Sequence, residues 1–194
     1  MKKIESTGIV LNIDNIDTDQ IIPAKFLKST TREGFGEKLF YNWRYDEDNN
    51  PKIGFAFNEY QVGSEILIAG NNFGCGSSRE HAAWAIADYG IKGIISSQFA
   101  DIFETNALNN GILPVRVSPA CLAAITKYVQ HEKKCPIHVD VQKQQLIIDA
   151  KDIYINVKFE IDALKKKFLI SGTSELEYLV NQEEDVNAYE QARF

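Results

Sequence analysis

The sequence contains few cysteines and no paired ones. Its three cysteines, Cys75, Cys121 and Cys135, are odd in number and form no C-x-x-C pair. Iron–sulfur clusters and zinc sites are held by ligands at short, characteristic spacings, so we expect this chain to bind no metal itself. We interpret Cys121 and Cys135 as reduced packing residues, whereas Cys75 is a lone thiol within a glycine-rich segment.

Long apolar runs and an excess of positive charge are also missing. No segment approaches the roughly 20 apolar residues that span a bilayer, and residues 1–6 lack the apolar core of a signal peptide. With 21 Lys and Arg against 27 Asp and Glu, the formal net charge is −6, which argues against a nucleic-acid or anionic membrane partner. We therefore expect a cytoplasmic protein. Because no linker or repeat divides the chain, we expect one domain over residues 1–194.

Apolar stretches alternate with helical patterns through the middle of the chain, which predicts an α/β fold with mixed parallel and antiparallel strands. Strands are predicted at 7–13, 65–69, 93–97 and 113–117, and helices at 23–27, 36–45, 77–89, 99–109 and 119–130. Towards the end of the chain, antiparallel strands are predicted at 137–141, 145–148 and 153–159. Helices beginning at Asp162 and Glu183 are predicted to end the chain.

A glycine-rich turn between an apolar strand and a helix is the most informative segment. It covers residues 70–85, in which glycines permit a tight backbone path and Ser77 and Ser78 stand where a helix N-cap belongs. The N–H groups of a first helical turn and the positive end of the helix dipole favour a bound carboxylate or phosphate. Arg79 adds a planar fork of donors that suits a carboxylate. The segment therefore predicts a site for a small anion.

A structural interpretation of the same residues is also open. Ser77 and Glu80 fit a capping box, in which each side chain bonds the backbone N–H of the other residue. Arg79 favours the anion site, because a cation in the first turn opposes the helix dipole unless an anion lies in front of it.

Several separate motifs, in the same order, make the chain resemble the swivelling domain of the aconitase superfamily, and within it the small subunits of isopropylmalate dehydratases. The matching segments are residues 15–24, 31–36, 39–44, 72–81 and 99–106. The run Gly-Ser-Ser-Arg-Glu-His at 76–81 is common to the whole superfamily, whereas Cys75 before it resembles the isopropylmalate branch. The resemblance implies a single swivelling domain with a β/β/α arrangement.

The resemblance further implies a hydro-lyase that is active only with a large subunit. Such enzymes of leucine biosynthesis interconvert 2-isopropylmalate and 3-isopropylmalate by dehydration and rehydration. The family's [4Fe-4S] cluster would belong to the large subunit, its iron acting as a Lewis acid on the leaving hydroxyl, and this chain would bind no cofactor. The substrate would be a small hydroxy dicarboxylate, with no nucleic-acid or membrane partner.

The resemblance also gives roles to particular residues. Ser77 would be the catalytic base that removes a C–H proton, its alkoxide held by nearby N–H donors and a cation. Ser78 and Arg79 would bind a substrate carboxylate, and Asp19 would orient Arg79 or its neighbours. Arg32 would contact a carboxylate from a loop that closes over the substrate, with a plain surface position as the alternative.

Other residues of these motifs have structural alternatives. Leu27 and Phe35 are candidates for an apolar wall against an isopropyl group, and Phe35 could equally belong to the core. His81 is interpreted as a packing residue of its helix. The acidic loop 14–19 lacks the glycine and glutamate of an EF-hand, so its side chains are expected to bond nearby N–H groups.

Two other functions stay open. The chain could be the small subunit of homoaconitase or of a citraconate- or methylmalate-type hydratase, since the shared motif gives only the general chemistry. A non-catalytic anion- or nucleotide-binding module is the alternative outside enzymes. The turn, however, lacks the Lys-Ser/Thr ending of a P-loop and the spacing of a G-x-G-x-x-G fingerprint.

Overall fold

The computed structural model describes residues 1–28, 31–59, 63–173, 175–180 and 189–191. The strands are β1 (Lys3–Ser6), β2 (Gly8–Leu11), β3 (Ile66–Ala69), β4 (Gly93–Ser96), β5 (Leu113–Arg116), β6 (Ile137–Asp140), β7 (Gln145–Ala150) and β8 (Ile153–Lys158). The α-helices are α1 (Thr18–Ile21), α2 (Tyr41–Arg44), α3 (Ala56–Glu59), α4 (Glu80–Asp88), α5 (Asp101–Asn109), α6 (Pro119–His131), α7 (Ala163–Ser171) and α8 (Glu175–Val180). Within these described ranges, no helix has the length and apolar character needed to cross a membrane.

The strands form two four-stranded sheets of different kinds. The order β2-β3-β4-β5 gives a parallel sheet, in which Leu67 pairs with Ile9 on one side and Ile94 on the other. The order β1-β6-β7-β8 gives an antiparallel sheet. The residues account for the difference. Strands β2, β3 and β4 are buried along their whole length, as parallel strands covered on both faces must be, whereas β6 alternates buried with half-buried residues.

The parallel sheet is the middle of three layers. From one face, Ile9, Leu67 and Ile94 join an apolar cluster with residues of α4 and α5. From the other face, Ile66 and Ile68 join a second cluster with residues of the antiparallel sheet and of α6. Alternate side chains of a strand point to opposite faces, so both faces are apolar, and their burial stabilises the layers by about 25 cal/mol per Å². The result is the β/β/α arrangement that the resemblance implies.

The predicted α/β fold with mixed strands is confirmed, and the two strand types lie in separate sheets. Strand β1 was not predicted, because only Ile4 among its residues is fully buried and the alternation is too short to recognise. The single helix predicted at 36–45 is wrong: Gly36–Lys38 is a 3₁₀ turn, and Phe40 interrupts the chain with a φ of 50° before α2 begins. The helix predicted to begin at Glu183 lies outside the described residues.

Candidate active site

A cleft opens where three loops meet at the carboxyl edge of the parallel sheet. These loops follow β2, β3 and β4, and because the strands are parallel, their carboxyl ends lie side by side. Backbone hydrogen bonds tie the loops together: the Thr18 N–H donates to the Cys75 carbonyl over 2.9 Å, and the Phe73 N–H donates to the Gln98 carbonyl over 3.0 Å. The cleft is therefore built on a backbone framework.

Three parts of the chain line the cleft, which has a volume of about 230 Å³. They are Thr18 of α1, the glycine turn with Ser77, Ser78 and Arg79, and the start of α5. Complete small-molecule pockets enclose roughly 300–1,000 Å³. The cleft has the size of a partial site.

Two glycines give the turn its path. Gly74 has a φ of 77°, and a Cβ there would lie 2.1 Å from Cγ of the buried Phe103. Gly76 has a φ of 92°, a conformation that strains any residue with a Cβ. Ser77 leaves this turn with an exposed side chain, and its carbonyl accepts a 2.8 Å hydrogen bond from the Thr18 hydroxyl. The Ser77 hydroxyl thus stands on backbone that α1 holds in place.

The helix after the turn begins later than predicted. Helix α4 starts at Glu80 with Arg79 as its N-cap, and the Arg79 side chain makes no capping hydrogen bond. The capping box that was the structural alternative for Ser77 and Glu80 does not form, because Ser77 and Ser78 lie in the loop ahead of the N-cap. Arg79 has an extended backbone, with φ −117° and ψ 106°. Its cation consequently stands before the first helical turn, where an anion in front of the helix could contact it.

Arg79 is fixed by an acidic partner from α1. Its Nη1 donates to Oδ1 of Asp19 in a close ion pair. The Arg79 side chain is 18% exposed and that of Asp19 is 53% exposed. The N-cap of α1 is Asp17, which accepts from the Gln20 N–H over 2.7 Å, a bond of the kind predicted for the acidic loop. The structure therefore places Asp19 against Arg79, while the part of either residue in binding substrate stays a prediction.

Arg32 lies apart from the cleft lining. Its exposed Nη2 is 3.6 Å from Oε1 of Glu80, and its Cζ is 5.0 Å from the centre of the Trp84 ring. These contacts hold it against α4 in the surface position given as the alternative. Contact between Arg32 and substrate stays a prediction.

The residues considered for an apolar wall belong to the packing around α4. Phe35 is 4% exposed and packs edge-on against Trp84, with His81 beside it. Leu27 is half-buried against the same cluster. The His81 ring lies 4.5 Å from that of Trp84, in agreement with a packing role. Phe35 is therefore a core residue, as the alternative stated. The apolar part of the cleft lining is formed by other residues.

Several residues that line the cleft were given no function from the sequence, among them three of α5. Asp101, Ile102 and Asn106 come from α5 and line the cleft. They belong to the motif 99–106, but an acidic residue at a helix start is common for structural reasons alone. The available signal was topological: in a parallel sheet, the loop after one strand lies beside the loop after its neighbour.

The described residues do not fit an iron–sulfur cluster. Within the described ranges, no group of three or more His, Cys, Asp or Glu side chains comes together as a ligand set. Cys75 in the glycine turn donates its thiol to the Asn15 carbonyl over 3.4 Å. Partial burial, and then the charge of Asp17, raises the pKa of that thiol. Because clusters bind thiolates, a lone thiol in this state does not suit a cluster.

Comparisons with known proteins agree along nearly the whole chain. Residues 1–120 match the family model of the aconitase C-terminal domain. The 3-isopropylmalate dehydratase small subunit of Christiangramia forsetii is 46% identical over 190 residues, covering 98% of this chain and 92% of that protein. The subunit of the same name from Cytophaga hutchinsonii is 50% identical over 187 residues, covering 96% and 92%. The crystal structure of 3-isopropylmalate dehydratase from Methanocaldococcus jannaschii matches with a TM-score of 0.69 and 27% identity, covering 96% of this chain and 99% of that one. The chain belongs to the 3-isopropylmalate dehydratase small-subunit family, within the aconitase superfamily.

Proposed function

We propose that this chain supplies one half of the active site of a 3-isopropylmalate dehydratase, which interconverts 2-isopropylmalate and 3-isopropylmalate in leucine biosynthesis. The observation that carries the proposal is the cleft in which the exposed Ser77 and Ser78 lie beside Arg79, itself fixed by Asp19. The similarity of nearly the whole chain to small subunits of this enzyme supports it.

Ser77 is the catalytic base in this proposal. It takes the proton from one substrate carbon, and the hydroxyl leaves from the adjacent carbon. Rehydration then adds a hydroxyl to the carbon that lost the proton and a proton to the carbon that lost the hydroxyl. A serine alkoxide requires N–H donors and cations in a pocket that excludes water. Ser77 is exposed in this chain, so the pocket has to be closed by a second subunit before the base can work.

Arg79 and Ser78 bind a carboxylate of the substrate. A guanidinium has five N–H donors in a planar fork, and the pair with Asp19 uses one of them at Nη1. Within the described residues this guanidinium makes no other hydrogen bond, so donors remain for a substrate carboxylate, which Arg binds best with two parallel hydrogen bonds. Because Asp19 holds the side chain in advance, less conformational entropy is lost when the substrate binds.

The charges of the cleft imply that a partner supplies further cations. Among the described residues that line it, Arg79 is the one cation and already pairs with Asp19, whereas Asp101 adds a carboxylate. A dicarboxylate substrate brings two more negative charges, which this half does not balance. We place the missing cations and the [4Fe-4S] cluster on the large subunit that the name "small subunit" implies.

We also propose that residues 1–194 form one domain and that the protein works in the cytoplasm. Both apolar clusters use the same parallel sheet, one on each face, which supports a single structural unit. The cytoplasmic location stays a prediction from the sequence.

The test is a Ser77→Ala variant in the complex with the large subunit. We expect the variant to copurify with the large subunit as the wild type does, and its turnover of 2-isopropylmalate to fall about 10³-fold because the base is lost. Ser171→Ala is the matched control: its hydroxyl bonds the Phe168 carbonyl in α7, outside the cleft, and turnover should be unchanged. Full activity of Ser77→Ala refutes the assignment of the base, and a wild-type complex without turnover refutes the reaction.

A further inference from the structure

Asp101 adds a carboxylate to the lining of the cleft. It is the first residue of α5, its side chain is exposed, and it lines the cleft together with Ser77 and Arg79. Among the residues that the structure describes, no cation pairs with its carboxylate. Glu104, in the same helical turn, differs in that it forms a 2.7 Å ion pair with Arg116 and does not line the cleft.

A carboxylate repels an anionic substrate, so the position of the Asp101 carboxylate restricts the orientation in which that substrate binds. Like charges repel across a short distance, and the substrate's carboxylates are therefore directed towards Arg79 and away from α5. The neighbour of Asp101 is Ile102, which lines the cleft with 56% of its surface exposed. The α5 side of the cleft is thus suited to an uncharged, branched group and opposed to a further carboxylate.

We propose that Asp101 is a selectivity residue, whose charge excludes hydroxy acids that carry a third carboxylate in place of an uncharged side group. This inference rests on the proposed function and deepens it. A repulsive group of this kind discriminates because it weakens the binding of the wrong ligand without strengthening the binding of the right one. The structural alternative is that Asp101 stabilises α5 through the helix dipole. That role would change the stability of the chain and leave its selectivity unchanged.

The test compares two acids that differ in a single group. Tricarballylate carries a carboxylate where 3-methylglutarate carries a methyl group, and neither can be dehydrated. Their dissociation constants are measured by calorimetry on the assembled two-subunit complex, so that the result does not depend on turnover. We expect Asp101→Asn to improve the binding of tricarballylate relative to 3-methylglutarate by about tenfold, as expected for removing one like charge. Glu104→Gln, the matched control, should leave the ratio of the two constants unchanged.

Each outcome decides the question. A ratio that stays at the wild-type value in Asp101→Asn overturns the proposal, even where the variant is less stable. Asp101→Glu retains the charge and should keep the wild-type ratio, whereas a shift as large as that of Asp101→Asn also overturns the proposal. Turnover of 2-isopropylmalate by the wild-type complex is measured separately, so that a failure of the reaction is distinguished from a failure of the selectivity.

Discussion

Replacing Gly74 by alanine tests whether the cleft depends on the close approach between the glycine turn and α5. An added Cβ would lie 2.1 Å from Cγ and 2.5 Å from Cβ of Phe103. Phe103 is 2% exposed, so its ring has little room to move away. Gly111 is the matched control, because its φ of 76° equals that of Gly74 within one degree and nothing lies within 4 Å of the position of its Cβ.

Both substitutions place a Cβ in a left-handed conformation, but only Gly74→Ala also forces a side chain against Phe103. A left-handed conformation destabilises a residue that has a Cβ by about 1 kcal/mol or somewhat more. Gly111→Ala should show this term alone. In Gly74→Ala the Phe103 ring is also displaced, and overpacking of a core typically adds ~1–3 kcal/mol. We therefore expect Gly74→Ala to lower the free energy of unfolding by ~2–4 kcal/mol.

Urea denaturation followed by circular dichroism separates the two variants. With a slope of about 2 kcal/mol per M, the midpoint should fall by about 1–2 M for Gly74→Ala and by about 0.5 M for Gly111→Ala. Because Phe103 belongs to α5, which also lines the cleft, Gly74→Ala should in addition reduce turnover in the assembled complex. Equal midpoints for the two variants would refute the argument that steric contact with Phe103 fixes the turn.

Two further predictions concern the thiol of Cys75 and the buried hydroxyl of Thr126. The pKa of the Cys75 thiol is raised by partial burial and then by the charge of Asp17, so its thiolate forms at higher pH than that of free cysteine. Alkylation of Cys75 by iodoacetamide, followed by peptide mass spectrometry, should be slower than that of free cysteine at pH 8 and accelerate as the pH rises, whereas rapid reaction at pH 7 would contradict this. Thr126 is 6% exposed, and its hydroxyl has no hydrogen-bond partner in the described part of the chain. Thr126→Val should therefore stabilise the chain by about 1 kcal/mol, measured as a higher urea midpoint, and an unchanged or lower midpoint would count against it.

The fold class was predictable because the apolar pattern is local. Strands β3 and β4 are short apolar runs separated by a helix-length segment, which is sufficient to predict parallel pairing. The start of α4 was not predictable at the same precision. Ser77 has the residue type of an N-cap, but the Thr18 hydroxyl bonds its carbonyl and the helix begins after Arg79. A contact with a residue far away in sequence therefore overrode a local preference.

The candidate site could likewise be predicted only in part from the sequence. Ser77, Ser78 and Arg79 are consecutive, so the sequence alone brings them together. Asp19 meets Arg79 only in the folded chain, and it was predicted from the resemblance and not from any local pattern. Asp101 was missed because an acidic residue in a first helical turn has a sufficient structural explanation. Its proposed role in selectivity becomes visible only when the lining of the cleft is known.

The geometry of the cleft gives a physical reason why this chain needs a further part to complete its site. The proposed base Ser77 would work only where water is excluded and positive charge is near. In this chain Ser77 is exposed, beside a guanidinium whose charge Asp19 already balances. If these residues were enclosed without further cations, Asp101 would oppose the binding of every anionic substrate. In the proposed complex, the second subunit would both close the cleft and supply the charge that outweighs this repulsion. Catalysis would then begin only on assembly, with Asp101 still acting against ligands that carry one carboxylate too many.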